Sequence, residues 1–434
     1  MKTYQWIRVG VAWAGLAAVA ATAAERVDRD LGVMMLRRAK RAVATEYFDP
    51  ALRGFPLEQR CAEAEAAIAK AESNVDVFRL IGQVFLDLGD PQTYWVPPPR
   101  KVQVDYGWAA MTVGDACFVR WVDARSDAAK KGVKRGDRIE AVNGIAVNRA
   151  TWPKLAYSFY VLSPQRGLRV TLRPPGGEAR ELDLMAEVKE KPEEAAMAGG
   201  EARDFGSQGA GERDGREPPA ASVFAEVGDT LVWRLRGFSR QGSPMREDAA
   251  RLRRAKAVVL DLRGSGGRSQ AALEELVGNL FDREVTVATV QERGEKKPIT
   301  VKPAAAPFAG LLVVLVDAGT ASFAELFARM IQLEDRGIVI GDRTSGRAQI
   351  AKTFTEKVRV GVEPARVSAI SVTVGGFVLR DGKALDSAGV MPDLPVRPTG
   401  GDLAANRDPA LALALAQTGH KLTPEAAAKV LAAH

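Results

Sequence analysis

The sequence predicts a multidomain chain of α/β class (α+β in its overall arrangement): a helical N-terminal module, a small β-domain and an α/β core. Three observations predict it. Apolar residues recur at helical spacing before residue 100, short alternating strands bounded by tight-turn dipeptides fill residues 103–186, and buried strands alternate with helices over residues 222–400. The chain has 434 residues, more than one compact core holds, so two or three domains are expected.

In the first module, residues 25–100, Val77, Leu80, Ile81, Val84 and Leu88 fall on one helical face, and the Ala-rich stretch 62–71 favours helix. Leu88-Gly89-Asp90-Pro91 and Pro97-Pro98-Pro99 stop the helix and send the chain out extended. In the β-domain, Gly136-Asp137 and Asn143-Gly144 flank a short apolar strand, while Leu168, Val170 and Leu172 alternate as a half-buried strand does. Residues 187–220 are rich in Glu, Ala, Gly, Arg and Pro and read as a flexible linker. In the core, the β-branched run Ala257 to Leu260 precedes Gly264-Ser265-Gly266-Gly267, and the run Leu311 to Val316 precedes Gly319-Thr320-Ala321-Ser322. A helix follows each turn, and residues 401–434 read as a helical tail.

Composition narrows the function classes. A hydrophobic content of 46% and a charged content of 26% are those of a globular protein. The formal charge of +7 is spread without a basic stripe interleaved with aromatics, which argues against a nucleic-acid partner. Lys2 and Arg8 precede an apolar run from Val9 to Ala20, and Ala21-Thr22-Ala23 follows. This is the layout of a secretory signal peptide over residues 1–24, and the run is shorter than the roughly 20 residues of a membrane span. The expectation is a periplasmic or secreted protein with no stable membrane insertion after cleavage; the alternative is a single anchor. The two cysteines, Cys61 and Cys117, lie in different expected domains and read as free or buried, and the two histidines, His420 and His434, sit near the C-terminus. No metal site and no cofactor are expected.

Ser322 is the candidate nucleophile. A small-residue turn between a buried strand and a helix lifts its side chain to the sheet edge, beside free helix N-terminal amides. The same residue also suits an ordinary helix N-cap. Gly264, Gly266 and Gly267 end a second buried strand, and glycines allow backbone N–H groups to approach a ligand, so they are the candidate oxyanion donors.

These motifs resemble those of the C-terminal processing (tail-specific) serine peptidases. "VVLDLRGSGG" is similar to that family's oxyanion-loop strand, "VLVDAGTASFAE" to its nucleophile motif, "VIGDRTSGRA" to the strand and loop of its catalytic lysine, and "AGVMPDLPV" to the strand closing its core. "LGDPQTYW" resembles the junction of its N-terminal helices, and "GVKRGDRIEAVNG" is similar to a PDZ domain. The resemblance implies a helical N-terminal module, a PDZ β-domain and a peptidase core of that type. It also implies exported protein or peptide substrates recognised by their C-termini in a PDZ groove, with Tyr106, Gly107 and Trp108 as the carboxylate loop.

The same resemblance exposes three departures. The family's Gly-Lys-Gly reads Gly346-Arg347-Ala348, its following glutamine falls at Ala351, and the histidine some members carry is Gln92. A guanidinium stays protonated at any working pH, so Arg347 is a poor base. Lys352 is the nearest lysine in sequence; its strand parity turns it to the opposite face unless a bulge rotates it inward. Glu325 and Asp342 are further candidates on proximity alone. Two functions stay open: a serine endopeptidase acting through Ser322, and a non-catalytic PDZ-based peptide-binding adaptor.

Overall fold

A computed structural model describes residues 27–100, 102–190, 222–238, 251–358, 366–385 and 387–431. The expected signal segment, and residues 191–220 of the expected linker, lie outside the described residues.

Three helices open the fold: α1 (Arg29–Glu46), α2 (Leu57–Ile68) and α3 (Asn74–Asp87). The side chains of Asp28 and Ser73 accept the Leu31 and Asp76 N–H groups and start α1 and α3. Val77, Ile81, Val84 and Phe85 form the buried stripe of α3, packed with Leu36 and Val43 of α1 and Ile68 of α2. After the turn at Gly89-Asp90 comes β1 (Tyr94–Val96).

The small β-domain runs β2 (Val102–Asp105), β3 (Trp108–Val113), β4 (Ala116–Val122), α4 (Asp127–Lys130), β5 (Arg138–Val142), β6 (Ile145–Ala146), α5 (Trp152–Tyr157), β7 (Gly167–Arg173), β8 (Arg180–Met185) and β9 (Glu187–Glu190). Its sheet has the order β3-β4-β5-β7-β8, with β6 on β5 and β3 at the edge. Asn143 and Gly144 both take positive φ (49° and 77°) in the hairpin joining β5 to β6, the conformation such two-residue loops require. The expected linker starts too early. Glu187–Glu190 pair antiparallel with Val102–Asp105, so these exposed polar residues are held by backbone bonds and not by burial.

The core continues with β10 (Ser222–Val227), β11 (Thr230–Leu235), β12 (Gly237–Phe238), β13 (Ala257–Asp261), β14 (Gly266–Gly267), α6 (Gln270–Gly278), β15 (Val285–Glu292), β16 (Glu295–Val301), β17 (Leu311–Val316), α7 (Phe323–Leu333), β18 (Ile338–Gly341), β19 (Ile350–Val358), β20 (Arg366–Val378) and β21 (Leu394–Pro395). It ends with α8 (Gly400–Ala404), α9 (Pro409–Gln417) and α10 (Pro424–Lys429). Its main sheet has the order β10-β11-β13-β17-β18-β21, parallel from β11 onward. Val258, Leu260, Leu312, Val314 and Val316 face α6 and α7, while Val259, Val313 and Leu315 face α9 and α10. The expected helical tail is therefore a layer of the core: a parallel sheet has two apolar faces, and α9 with α10 covers the second.

A second sheet holds β1-β20-β15-β16, with β19 also on β20. Tyr94 and Val96 of β1 pair with Ser371 and Ala369 of β20, and Ile370 and Val372 pack into the core of α1–α3. The helical module and the α/β core thus share one apolar interior. Cys61 and Cys117 are free and buried, and burial pushes both thiols up to about 11.

Candidate active site

β17 is a buried parallel strand, and its chain turns at residues 317–321 into α7. At the turn Ser322 adopts φ 59° and ψ −128°, a conformation that side-chain-bearing residues rarely take. The residue is 5% exposed. Strain of this kind persists only where the surroundings enforce it, and here it aims a serine at the carboxyl end of a parallel sheet, where ligands bind in such folds.

Two strand-end loops meet at this point. Ala321 donates its N–H to the Ser265 carbonyl (2.8 Å), Thr320 its hydroxyl to the Leu262 carbonyl (2.9 Å), and Gly264 its N–H to Asp317 (2.8 Å). That last bond corrects one expectation: the Gly264 N–H is already used, so this residue shapes the turn and is not an oxyanion donor. Gly266 lies against Ala321, where an added Cβ would sit 3.9 Å from the Ala321 Cβ. Gly267, at φ 99°, passes so close to β12 that a Cβ would be 2.2 Å from the Phe238 carbonyl. Only glycine fits there.

Glu325 ties the Ser322 turn to the loop after β18. Its carboxylate is fully buried and accepts five donors: the N–H groups of Ser322 (3.1 Å), Gly346 (2.7 Å) and Arg347 (2.8 Å) and the hydroxyls of Thr344 (2.6 Å) and Ser345 (3.1 Å). Burial pushes this carboxyl above the ordinary glutamate range, against the pull of its donors. With every contact directed at backbone and hydroxyl groups, Glu325 is a positioning residue. Its signature was present in the sequence, since Ser-x-x-Glu ahead of an apolar helix is a capping box.

Arg347 is tied to the Ser322 turn through that carboxylate, and its own carbonyl accepts the Gln92 side-chain amide at 3.0 Å. Gln92 is buried and also accepts from Arg268 (3.3 Å), the residue after the glycine loop. Asp90, buried two residues earlier, accepts from Tyr47, Thr373 and the Gln92 and Thr93 amides and fixes this turn. Lys352 is placed elsewhere. A register irregularity falls at Ile350/Ala351, yet the Lys352 side chain is 58% exposed with its Nζ 3.9 Å from Glu292. Ala351 contributes its carbonyl to Arg268 (3.4 Å). Among the described residues no charged side chain is hydrogen-bonded to the Ser322 hydroxyl.

The sequence model for peptidase family S41 matches residues 229–396, the stretch that contains both strand-end loops, Glu325 and Arg347. The chain carries a peptidase family S41 domain. A chloroplastic C-terminal processing peptidase of Tetradesmus obliquus is 24% identical over 389 residues, covering 84% of this chain and 77% of the relative. Carboxyl-terminal-processing peptidase 3 of Arabidopsis thaliana, also chloroplastic, is 31% identical over 180 residues, 41% of this chain and only 33% of that relative. The solved structure of mature CPAF complexed with lactacystin superposes with a TM-score of 0.64 at 15% identity, over 87% of this chain and 95% of that one, which is a likeness of fold.

The S41 domain of this chain is also tied to the small β-domain, by contacts the sequence did not reveal. Asp342, 4% exposed, accepts the Gly114 N–H (2.7 Å), Arg397 (2.8 Å) and Arg149 (3.5 Å). Arg149 in turn donates to the carbonyls of Arg343 and Thr344 (both 2.6 Å), directly ahead of the Glu325-bound loop. Asp342 is thus an interdomain clamp, its oxygens taken by fixed donors. At the expected carboxylate loop, Tyr106 and Trp108 are buried, Gly107 turns at φ 68°, and the Trp108 and Trp152 rings lie 6.0 Å apart between β3 and α5.

Proposed function

We propose that the protein is an exported serine endopeptidase of the C-terminal processing type, which holds substrate C-termini in its β-domain and cleaves through Ser322. The conformation of Ser322 carries this reading: a strained serine at a strand-to-helix turn, beside Gly266 and Gly267, has the layout of a nucleophile facing oxyanion donors. In the reaction Ser322 Oγ bonds to the scissile carbonyl carbon, the carbonyl oxygen takes the charge beside the glycine loop, and the hydroxyl proton passes through solvent to the amine nitrogen as the C–N bond breaks. The amine product departs with a proton and water releases the acyl group. Recognition by PDZ-type strand addition is supported by β3, an edge strand beside α5 and next to the loop at Gly107. Export is supported by the charged, apolar and small-residue order of residues 2–24.

A second reading, a peptide-binding adaptor without turnover, is favoured by one observation. Arg347 stands where the resemblance places a lysine base, and Lys352 is directed to Glu292. Incubating an unfolded exported protein that ends in apolar residues with the wild type and with Ser322→Ala separates the two. Cleavage lost in Ser322→Ala supports the peptidase; intact substrate in both, with C-terminal peptide still bound, establishes the adaptor.

A further inference from the structure

β20 carries strands on both sides: β1 and β15 pair with one edge and β19 with the other. Among the described residues β19 has no further strand beyond it, so its outer edge is open. The main-chain groups on that edge can be identified. Thr373, opposite Ala351, donates its N–H to the Thr93 hydroxyl (3.0 Å) and accepts the Phe48 N–H (3.0 Å), partners that lie outside β19. Ala351 and Thr373 are therefore a non-hydrogen-bonded pair, and the Ala351 N–H and C=O face outward. By the alternation of an antiparallel ladder, Thr353 (opposite Ser371) and Thr355 (opposite Ala369) turn their main chain the same way. Both threonines are exposed.

The edge leads to Ser322. The Ala351 carbonyl accepts from Arg268 (3.4 Å), the residue after Gly267, so the open edge begins against the glycine loop. Ile350 follows Arg347 by three residues, and the Arg347 N–H shares Glu325 Oε2 with that of Ser322. Further along, the strand borders a groove of about 430 Å³ beside α1, with Arg38, Arg41, Ala42 and Thr45 on the helix and Phe354 and Glu356 on the strand. Charges here are answered locally: Glu356 pairs with Arg38, and Lys352 lies 3.9 Å from Glu292. Exposed edges are ordinarily blunted by proline or charge, and β16, another outer strand of this sheet, carries Lys296, Lys297 and Pro298 in its exposed part. β19 has no proline, and its outward main chain sits at two neutral threonines.

We infer that the outer edge of β19 is a strand-addition site for the polypeptide substrate. An unfolded segment pairs through its main chain with Thr353 and Thr355, lays side chains against Ala42 and Phe354, and continues past Arg268 to Ser322. Main-chain pairing is indifferent to sequence at most positions, so the ligand class is extended, unfolded polypeptide and not one fixed sequence. The inference rests on the reading above that peptide is handled at Ser322, by a peptidase or an adaptor, and is independent of the β-domain groove. Continuity of the edge with the glycine loop favours this occupant over a second copy of the chain.

The test uses full-length Ser322→Ala protein as parent and fluorescence anisotropy with a labelled peptide of alternating Val and Thr, flanked by Lys and blocked at both termini. About a dozen residues cover the edge and the site at about 3.3 Å per residue. Thr353→Pro and Thr355→Pro each delete an outward N–H and leave the bonds to β20 in place, so each should weaken binding about tenfold without lowering the urea midpoint. With the parent, N-methyl groups placed singly along the peptide should weaken binding at every second position only, because alternate N–H groups of a strand face its neighbour. Where a proline variant is destabilised, the N-methyl pattern decides. The inference is overturned by no binding to the parent, by unchanged binding in both stable proline variants, or by N-methyl effects without the period of two. Dimerisation of the parent that sedimentation detects and Thr355→Pro abolishes overturns it too, and assigns the edge to a second copy. An acetylated tetrapeptide with a free apolar C-terminus reports on the β-domain groove and should bind the parent and the proline variants alike. Its failure to bind refutes C-terminal recognition and leaves the β19 result standing.

Discussion

Ser322 and Arg347 are held by a single atom. Glu325 Oε2 accepts the backbone N–H of both, at 3.1 and 2.8 Å, so the Ser322 turn and the loop after β18 cannot move apart independently. The two positions are juxtaposed by backbone bonds that do not depend on the side chain at 347.

Glu325→Gln replaces one accepting oxygen by an NH2 group that meets N–H donors on either side. A loss of about 2–4 kcal/mol in urea denaturation is expected, with slower labelling of Ser322 by a fluorophosphonate. The pH dependence has a definite sign. The raised Glu325 carboxyl favours the folded state below the ordinary glutamate value, and that contribution is lost as pH rises through the folded value. The stability gap between wild type and variant should narrow as pH rises over this interval; a widening gap would mean that the five donors outweigh burial.

Arg347→Lys restores an amine that can lose its proton. Turnover of an unfolded protein substrate should rise by roughly 10²-fold, the lower end of what a general base contributes. Lys352→Ala should leave turnover unchanged, because that amine is solvated beside Glu292. Cleavage abolished by Lys352→Ala would show that the strand turns during catalysis.

Removing Arg149 strands the carbonyls of Arg343 and Thr344 and leaves Asp342 with fewer donors. Arg149→Ala should cost about 2–4 kcal/mol, and hydrogen exchange should speed up at residues 342–347 before the rest of the core. Uniform exchange across the core would mean that the clamp supports the domain as a whole and not the loop.

Gln92→His puts an imidazole where the glutamine amide meets the Arg347 carbonyl and Arg268. Arg268 disfavours the charged ring, so the neutral form should prevail above about pH 6, and any gain in turnover should appear with that deprotonation. A flat pH profile between 5 and 8 in the variant, scaled to the wild type, would count against a role for this position in proton transfer.

Much of the site was legible in the sequence because it is local. The runs before Ser322 and Gly264 are unbroken β-branched or leucine strands, and glycine or small residues follow each one, so strand, turn and helix could be read in order. The Gly136 and Asn143-Gly144 turns were equally plain. Contacts between distant polar residues leave no such periodic trace. Gln92 and Arg347 are 255 residues apart, and Arg149 and Asp342 are 193 apart. Glu187–Glu190 escaped because a strand exposed on both faces has the composition of a linker. The covering role of α9 could have been inferred: a doubly buried parallel sheet needs helices on its second face, and only the C-terminal residues were left to supply them.

The pairing of β1 with β20 has a kinetic meaning. Tyr94 must find Ser371, so the second sheet closes only after most of the chain has been made. Closing so long a loop is slow compared with forming the helices or the β5–β6 hairpin. Until then Gln92 has no fixed carbonyl to meet and Arg268 lacks the Gln92 side chain. The contact between Gln92 and the Arg347 loop therefore forms only once segments from either side of the small β-domain have come together.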